Sequence, residues 1–340
     1  MNRREFLGGT AATLASLAMP HFSFPSMGAG VEVNRLGTDH FEIIFDEDRP
    51  FKIMQLTDTH FGIPEQGHDV TDALTFQMIK KLVDQNKPDL VFHTGDFINN
   101  DKVNPRINPA ISFMNDLGVP WSLVFGNHDH SSGQEGTISL DTYHGRMENH
   151  VMGYSVGADQ KRSYCFRIDL KRNKETFASI VGFNCGGGPT PMIVSAEQRA
   201  WFEGQLEADK KRGTAHPILV MQHIPTIEYK LMHDAKEEIG RYGEEVCSES
   251  DKGEIFSVYR DSKRVHGVFC GHDHVNDYIG VHKGVRLAYG RVTGWSGYGD
   301  WQRGCRMIEV NPKTSVSKTR VVLPVGAVEK PEWRVTMQDS

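Results

Sequence analysis

The chain is poor in the features that mark several large classes of protein. No apolar run reaches the roughly 18 residues that a helix needs to span a bilayer, so no stable membrane span is expected. Lysine and arginine are scattered, never blocked, and the formal net charge is −6. Sign and pattern are both wrong for the basic footprint of a nucleic-acid binder, and no nucleic-acid partner is expected. The 34 glycines and 15 prolines follow no period, which excludes collagen-like and low-complexity structure. Cysteine is sparse: Cys165, Cys185, Cys247, Cys270 and Cys305 form no CxxC pair and no zinc-ribbon spacing. One or two disulfides fit an oxidising compartment. The odd count leaves at least one thiol unpaired, and a small buried hydrophobe is the expected role for each.

What is present is enough apolar sequence for a large core, 38% hydrophobic against 24% charged residues over 340 positions, and disorder is excluded on that balance. Sixteen histidines invite a search for metal or acid–base chemistry. Residues 1–30 read as an address. Arg3-Arg4 precedes Glu5-Phe6-Leu7 and a mild apolar stretch from Gly8 to Met19, which Pro20 ends, and Ser26, Gly28 and Ala29 offer a cleavage site. This resembles a bacterial twin-arginine (Tat) signal. The resemblance implies a folded protein that engages the Tat export machinery and resides in the periplasm or is secreted. No composition break separates Phe51 from Asn311, so residues 31–340 are expected to form a single domain.

Phe51 to Leu56 predicts a buried strand, and Leu74, Met78, Ile79, Leu82 and Val83 mark one face of a helix over 70–86. Strands follow at 90–93 and 121–125, with a short helix over 109–117 between them. Strand and helix alternating with short links describe βαβ units in a largely parallel sheet. Hairpins are expected at 163–170 with 177–184, and at 277–282 with 285–289. Ser195 and Gln198 form a capping-box pattern that opens a helix running to about Arg212. Further strands are expected at 218–222 and 265–270.

Five of these strands finish in a metal-ligand residue type: Asp58 and His60, Asp96, Asn127 with His128, His223, and His272 with His274. In open α/β sheets, sites form beyond the carboxyl ends of the strands. Carboxylate, imidazole and amide donors without thiolate suit Zn, Mn or Fe. Seven groups are too many for one tetrahedral ion and fit two cations about 3.5–4 Å apart with a shared carboxylate. Residues i and i+2 in Asp58-Thr59-His60 and His272-Asp273-His274 are expected to project together from an extended segment.

The order D-x-H, G-D, G-N-H-D, a lone H after a strand and G-H-x-H resembles the calcineurin-like metallophosphoesterase family over residues 51–311. The resemblance implies a four-layer α/β/β/α sandwich of two mixed sheets with flanking helices. It implies Asp58, His60, Asp96 and His274 on one divalent or mixed-valence metal ion, and Asp96, Asn127, His223 and His272 on the other. His128 becomes the leaving-group acid, with Asp129 hydrogen-bonded to its imidazole. A hydroxide between the metals attacks a phosphate ester in line, and no covalent phosphoenzyme forms. The substrate is a small-molecule phosphate ester or a phosphoprotein.

Cys270 to Tyr278, Tyr289 to Gly294 and His223-Ile224-Pro225 resemble the purple-acid-phosphatase-like branch, which favours phosphomonoesters. Diester hydrolysis on the same site, or a non-catalytic phospho-ligand or metal-binding protein, is the alternative. The purple enzymes carry a tyrosine three residues after the bridging aspartate, and this chain has Asn99. Arg291 and His130 are candidate substrate contacts, Arg291 with an equal expectation of a structural role. His93 is expected in the core. Trp295 and Tyr298 sit in a glycine-rich loop, with packing as the expected role.

Overall fold

The computed structural model describes residues 31–99, 106–129, 165–185, 192–248 and 254–326. Fourteen strands and five α-helices lie among them. The small sheet contains β3 (Phe51–Leu56), β4 (Leu90–Thr94), β5 (Trp121–Val124), β13 (Cys305–Val310) and β14 (Ser317–Val322), in the order β14-β13-β3-β4-β5. Its β3, β4 and β5 are parallel, linked by α1 (His68–Asn86) and α2 (Ile107–Asp116), as the alternation of periods predicts. The large sheet contains β1 (Val31–Arg35), β2 (His40–Phe45), β6 (Cys165–Arg172), β7 (Glu175–Phe183), β8 (Ile218–Gln222), β9 (Glu238–Ile239), β10 (Val265–Cys270), β11 (Ile279–His282) and β12 (Val285–Tyr289). It mixes parallel pairs such as β7–β8–β10–β12 with antiparallel ones.

Period-two alternation shows how the layers stack. Leu219 and Met221 of β8, Phe269 of β10 and Ala288 of β12 join the core shared with the small sheet. Their neighbours Ile218, Val220, Val268, Leu287 and Tyr289 join a second core on the opposite face. That second core takes Phe202 from α3 (Ala196–Lys211), Tyr229 and Met232 from α4 (Glu228–Asp234), and Ile255, Phe256 and Tyr259 from α5 (Glu254–Ser262). The first takes Met78, Ile79 and Leu82 from α1 and Ile111 and Met114 from α2. Strands buried on both faces read as largely apolar runs, which is why the β3, β8 and β10 boundaries are legible in the sequence. The result is the four-layer α/β/β/α sandwich of two mixed sheets.

Local signals hold at several boundaries. Ser195 Oγ accepts from the Gln198 amide at 3.2 Å and Gln198 Oε1 accepts from the Ser195 amide at 2.8 Å, the reciprocal capping box. The β6–β7 turn places Asn173 and Lys174 at φ 50° and 68°, the left-handed pair that a two-residue hairpin requires. Strands β1, β2, β9, β13 and β14 and helices α4 and α5 lack such signals. Arg306 explains part of this: it is 2% exposed inside β13, because its guanidinium donates to the Tyr289 and Asp277 carbonyls at 2.6 and 2.8 Å. A buried arginine masks a strand pattern. None of the five cysteines is in a disulfide, so the bridges allowed by the sequence are not formed. Among the described residues no helix is long and apolar enough to cross a membrane. The expected Tat signal at 1–30 lies outside the described residues.

Candidate metal centre

The predicted ligands stand just beyond β3, β4, β5, β8 and β10, and both sheets contribute. The backbone continues the pairing past the strand ends: Asp58 N–H donates to Gly95 O at 3.0 Å, His60 N–H to Asp96 O at 3.0 Å, and Gly271 N–H to His223 O at 3.1 Å. The predicted extended geometry does not hold there. Asp58, His60, Asp96 and His272 have φ of 54°, 46°, 52° and 78°. The i and i+2 side chains converge because individual residues turn left-handed, not because a strand alternates. Aspartate and histidine tolerate this region better than most residues, at about 1–3 kcal/mol each.

Two donor sets result. Asp58, His60, Asp96 and His274 each offer a ligand atom, all mutually within 4.8 Å, and Asp96, His223 and His272 form a second set sharing Asp96. Within them His60 Nε2 is 3.1 Å from His274 Nε2 and 3.5 Å from Asp96 Oδ2. His223 Nε2 is 3.3 Å from Asp96 Oδ2 and 3.1 Å from Asn127 Oδ1, which adds Asn127 to the second set. Donors around one cation with bonds near 2.1 Å stand about 3.0–3.4 Å apart in octahedral or tetrahedral geometry. The donor set therefore fits a metal pair. A buried His272 Nε2 with no hydrogen-bond partner among the described residues supports the same fit.

Surrounding groups orient these donors. His223 Nδ1 donates to Thr94 O at 2.8 Å, which turns Nε2 toward Asp96 and Asn127. Asp96 Oδ1 accepts from the His128 amide at 2.8 Å and keeps Oδ2 for the centre. Asp58 Oδ2 accepts from Thr57 Oγ1 at 2.7 Å. Burial resists ionisation of Asp58 and Asp96, yet nearby imidazoles, His274 for Asp58 and His223 for Asp96, hold both below the usual carboxylate range. Burial pulls the other way at His60 and His272, lowering them to about 3 and about 4. At His223 burial also lowers the pKa, but the Asp96 carboxylate overcomes it and lifts the imidazole to about 9. Gly126 lies so close that an added Cβ would stand 2.2 Å from Asp96 Oδ1.

His128 is half-buried at the rim, its ring centroid 5.0 Å from that of His60. Asp129 does not orient that imidazole as expected. Its carboxylate is fully buried and accepts from the Ile98 and Gly126 amides at 2.9 and 2.8 Å. It pins the Gly126–Asp129 turn to the segment after β4, because a buried carboxylate must satisfy its oxygens locally. Burial, then the Asp96 charge, push its pKa up to about 7.

Of the two roles expected for Arg291, the structural one has its partners among the described residues. Arg291 is 7% exposed, pairs with Asp277 at 2.7 Å, donates to Gln302 O at 2.8 Å and stacks 3.3 Å over Trp301. His130 lies outside the described residues. His93 is buried, as expected, with Nε2 3.0 Å from Thr59 Oγ1. Asn99 donates its amide to Phe61 O at 2.9 Å.

Tyr298 does more than pack. Its ring lies 3.9 Å from that of His274 at 11°, and its hydroxyl donates to Glu244 at 2.8 Å. Trp301 Nε1 donates to His274 O at 2.9 Å. Glu244 and Trp301 escaped notice because neither lies in a spacing that names its partner. Trp295 is buried and packed, as expected.

Comparison with known proteins places the chain in a family. The chain is 28% identical over 316 residues to "Probable inactive purple acid phosphatase 14" of Arabidopsis thaliana, covering 79% of this chain and 77% of that one. It is 26% identical to "Phosphatase DCR2" of Saccharomyces cerevisiae, covering 68% of this chain and 45% of the relative. A dimetal phosphatase from Danio rerio shares the fold with a TM-score of 0.53 at 13% identity, over 80% of this chain and 99% of that structure. The calcineurin-like phosphoesterase model matches residues 51–276. Since that match spans well over half the chain, including every strand end that bears a donor, the chain belongs to the calcineurin-like phosphoesterase family of phosphate-ester hydrolases.

Proposed function

We propose that this chain is a phosphomonoesterase that works with two cations, one in each donor set, with Asp96 common to both. The observation that carries the proposal is the sharing of Asp96 between two sets whose members come from both sheets. When bound, two adjacent cations would supply neutralisation of phosphoryl oxygens and a lowered pKa for an attacking water. His223, with Asn127 beside it, approaches Asp96 in one donor set and His60 approaches it in the other. The orientation of the His223 imidazole comes from Thr94 O, so its ligating nitrogen needs no reorganisation. His128, on the rim beside His60, is placed to donate a proton to the leaving oxygen. Asp129 acts through the turn that carries His128 and Asn127, and is a positioning residue. The nitrogen and oxygen donors suit Zn, Mn or Fe.

Phosphomonoesters are preferred because the segments around His223, His272 and Tyr289 resemble the purple-acid-phosphatase-like branch. The substrate is a small phosphate ester or a phosphoprotein, and the Arg3-Arg4 segment supports Tat export to the periplasm. A second reading, a non-catalytic binder of phospho-ligands on the same fold, is favoured by the word "inactive" in the name of a relative. The retained donors and His128 favour catalysis. Turnover of p-nitrophenyl phosphate and of its bis ester by metal-loaded protein separates the cases. Faster monoester hydrolysis is expected; a faster diester overturns the preference, and hydrolysis of neither supports the binder.

A further inference from the structure

At the opposite end of the large sheet from the metal centre lies a cavity of about 470 Å³, between the amino ends of β8, β10 and β12 and the start of β14. His266 near the start of β10 lines it, and His272 of the metal centre lies six residues on, roughly 20 Å along an extended chain. The cavity belongs to a separate site.

None of its eleven lining residues is acidic. Arg286 reaches into its wall half-buried, and its only hydrogen bond among the described residues is to Ser317 Oγ at 2.9 Å. Burial lowers its pKa, with no carboxylate to oppose the effect. A cation removed from water without a counter-charge is costly. The two acids near His216 are already engaged: Asp209 accepts from Arg167 at 2.9 Å, Arg264 at 2.8 Å and Arg212 at 2.5 Å, and Asp169 accepts from Arg167 at 2.7 Å and Ser179 at 2.6 Å. Burial first, then Arg286 and Arg264, lower the pKa of His266. Thr314, Ser315 and Ser317 add hydroxyl donors, and the exposed Val281 and Val316 give an apolar wall.

We propose that this cavity is a second anion site, which takes a phosphate-type oxyanion on Arg286. A planar guanidinium offers the oxyanion a two-pronged contact, hydroxyls complete its shell, and the volume leaves room for an organic group against the two valines. The site is independent of the catalytic proposal. It needs neither the cations nor turnover.

Calorimetric titration of metal-loaded protein with inorganic phosphate tests it. Two classes of site are expected. Asp96→Asn removes the one at the metal centre, and Arg286→Gln weakens the other at least tenfold. His266→Glu changes an exposed ring and puts a negative charge into the cavity without touching the core, so it weakens the same class even where Arg286→Gln fails to fold. A single class in the wild type, or unaltered affinity in His266→Glu, overturns the proposal. Phenylphosphonate identifies the source. Tighter binding than phosphate at this class points to organic phosphates, and equal binding points to the free ion.

Discussion

At the residue scale, the centre depends on side chains held in backbone conformations that few residues tolerate. Four of the seven predicted donors sit at positive φ, and each carboxylate spends hydrogen-bonding capacity on an amide or hydroxyl while presenting oxygen to the centre. His128 offers its amide to Asp96 and stands beside His60 without belonging to either donor set. His128→Ala is therefore expected to retain both cations while kcat falls about 10²- to 10⁴-fold. Metal content measured beside single-turnover rates decides it, because parallel loss of metal would make His128 a ligand. Gly126 gives the complementary case. Its missing side chain is the space taken by Asp96 Oδ1 and His223 Nε2, so Gly126→Ala is expected to weaken cation affinity at least tenfold. A metal titration matching the wild type would show that the turn relaxes around the methyl group.

Elements place these residues by short tethers. The Gly126–Asp129 turn is pinned by one buried carboxylate, and the loop after β12 is gathered by arginines. Arg303 donates to the carbonyls of Gly297, Tyr298 and Gly299, while Arg291 ties Asp277 to Gln302. Removing one partner of such a buried pair costs about 3 kcal/mol or more. Arg291→Gln is expected to lower the unfolding free energy by that order, read from urea unfolding, with KM for p-nitrophenyl phosphate nearly unchanged. A large rise in KM with full stability would restore Arg291 to substrate binding.

Across the whole molecule, a buried polar network closes the end of the large sheet away from the metal centre. Arg167 pairs with Asp169 and Asp209, and His216 Nε2 lies 2.7 Å from Ser179 Oγ and 3.1 Å from Arg167. Burial, then Arg264 and Arg167, lower the His216 pKa to about 4, against the pull of Asp169 and Asp209. The unfolded chain thus binds this proton first, near the ordinary histidine value of about 6.5. Its contribution to stability is complete above that pH and is lost as pH falls toward 4. Urea midpoints are expected to drop across this window, and His216→Gln to flatten part of the slope. Identical slopes in the two proteins would remove His216 from the account.

The order of strands and helices around β3 to β5, the β8 and β10 boundaries, the capping box at Ser195 and the seven donor positions follow from the sequence alone. Apolar runs, helical spacing and donor residues at strand ends are local signals, and they survive without knowledge of the rest of the chain. The left-handed turns under the donors, the use of Asp129 as a clamp, the burial of Arg291 and Arg306, and the stacking of Tyr298 on His274 do not follow from it. Each is settled by a partner distant in the chain or by a backbone torsion, and neither leaves a periodic trace in the order of residues. An arginine reads as a surface charge until a carbonyl or carboxylate far along the chain is folded against it.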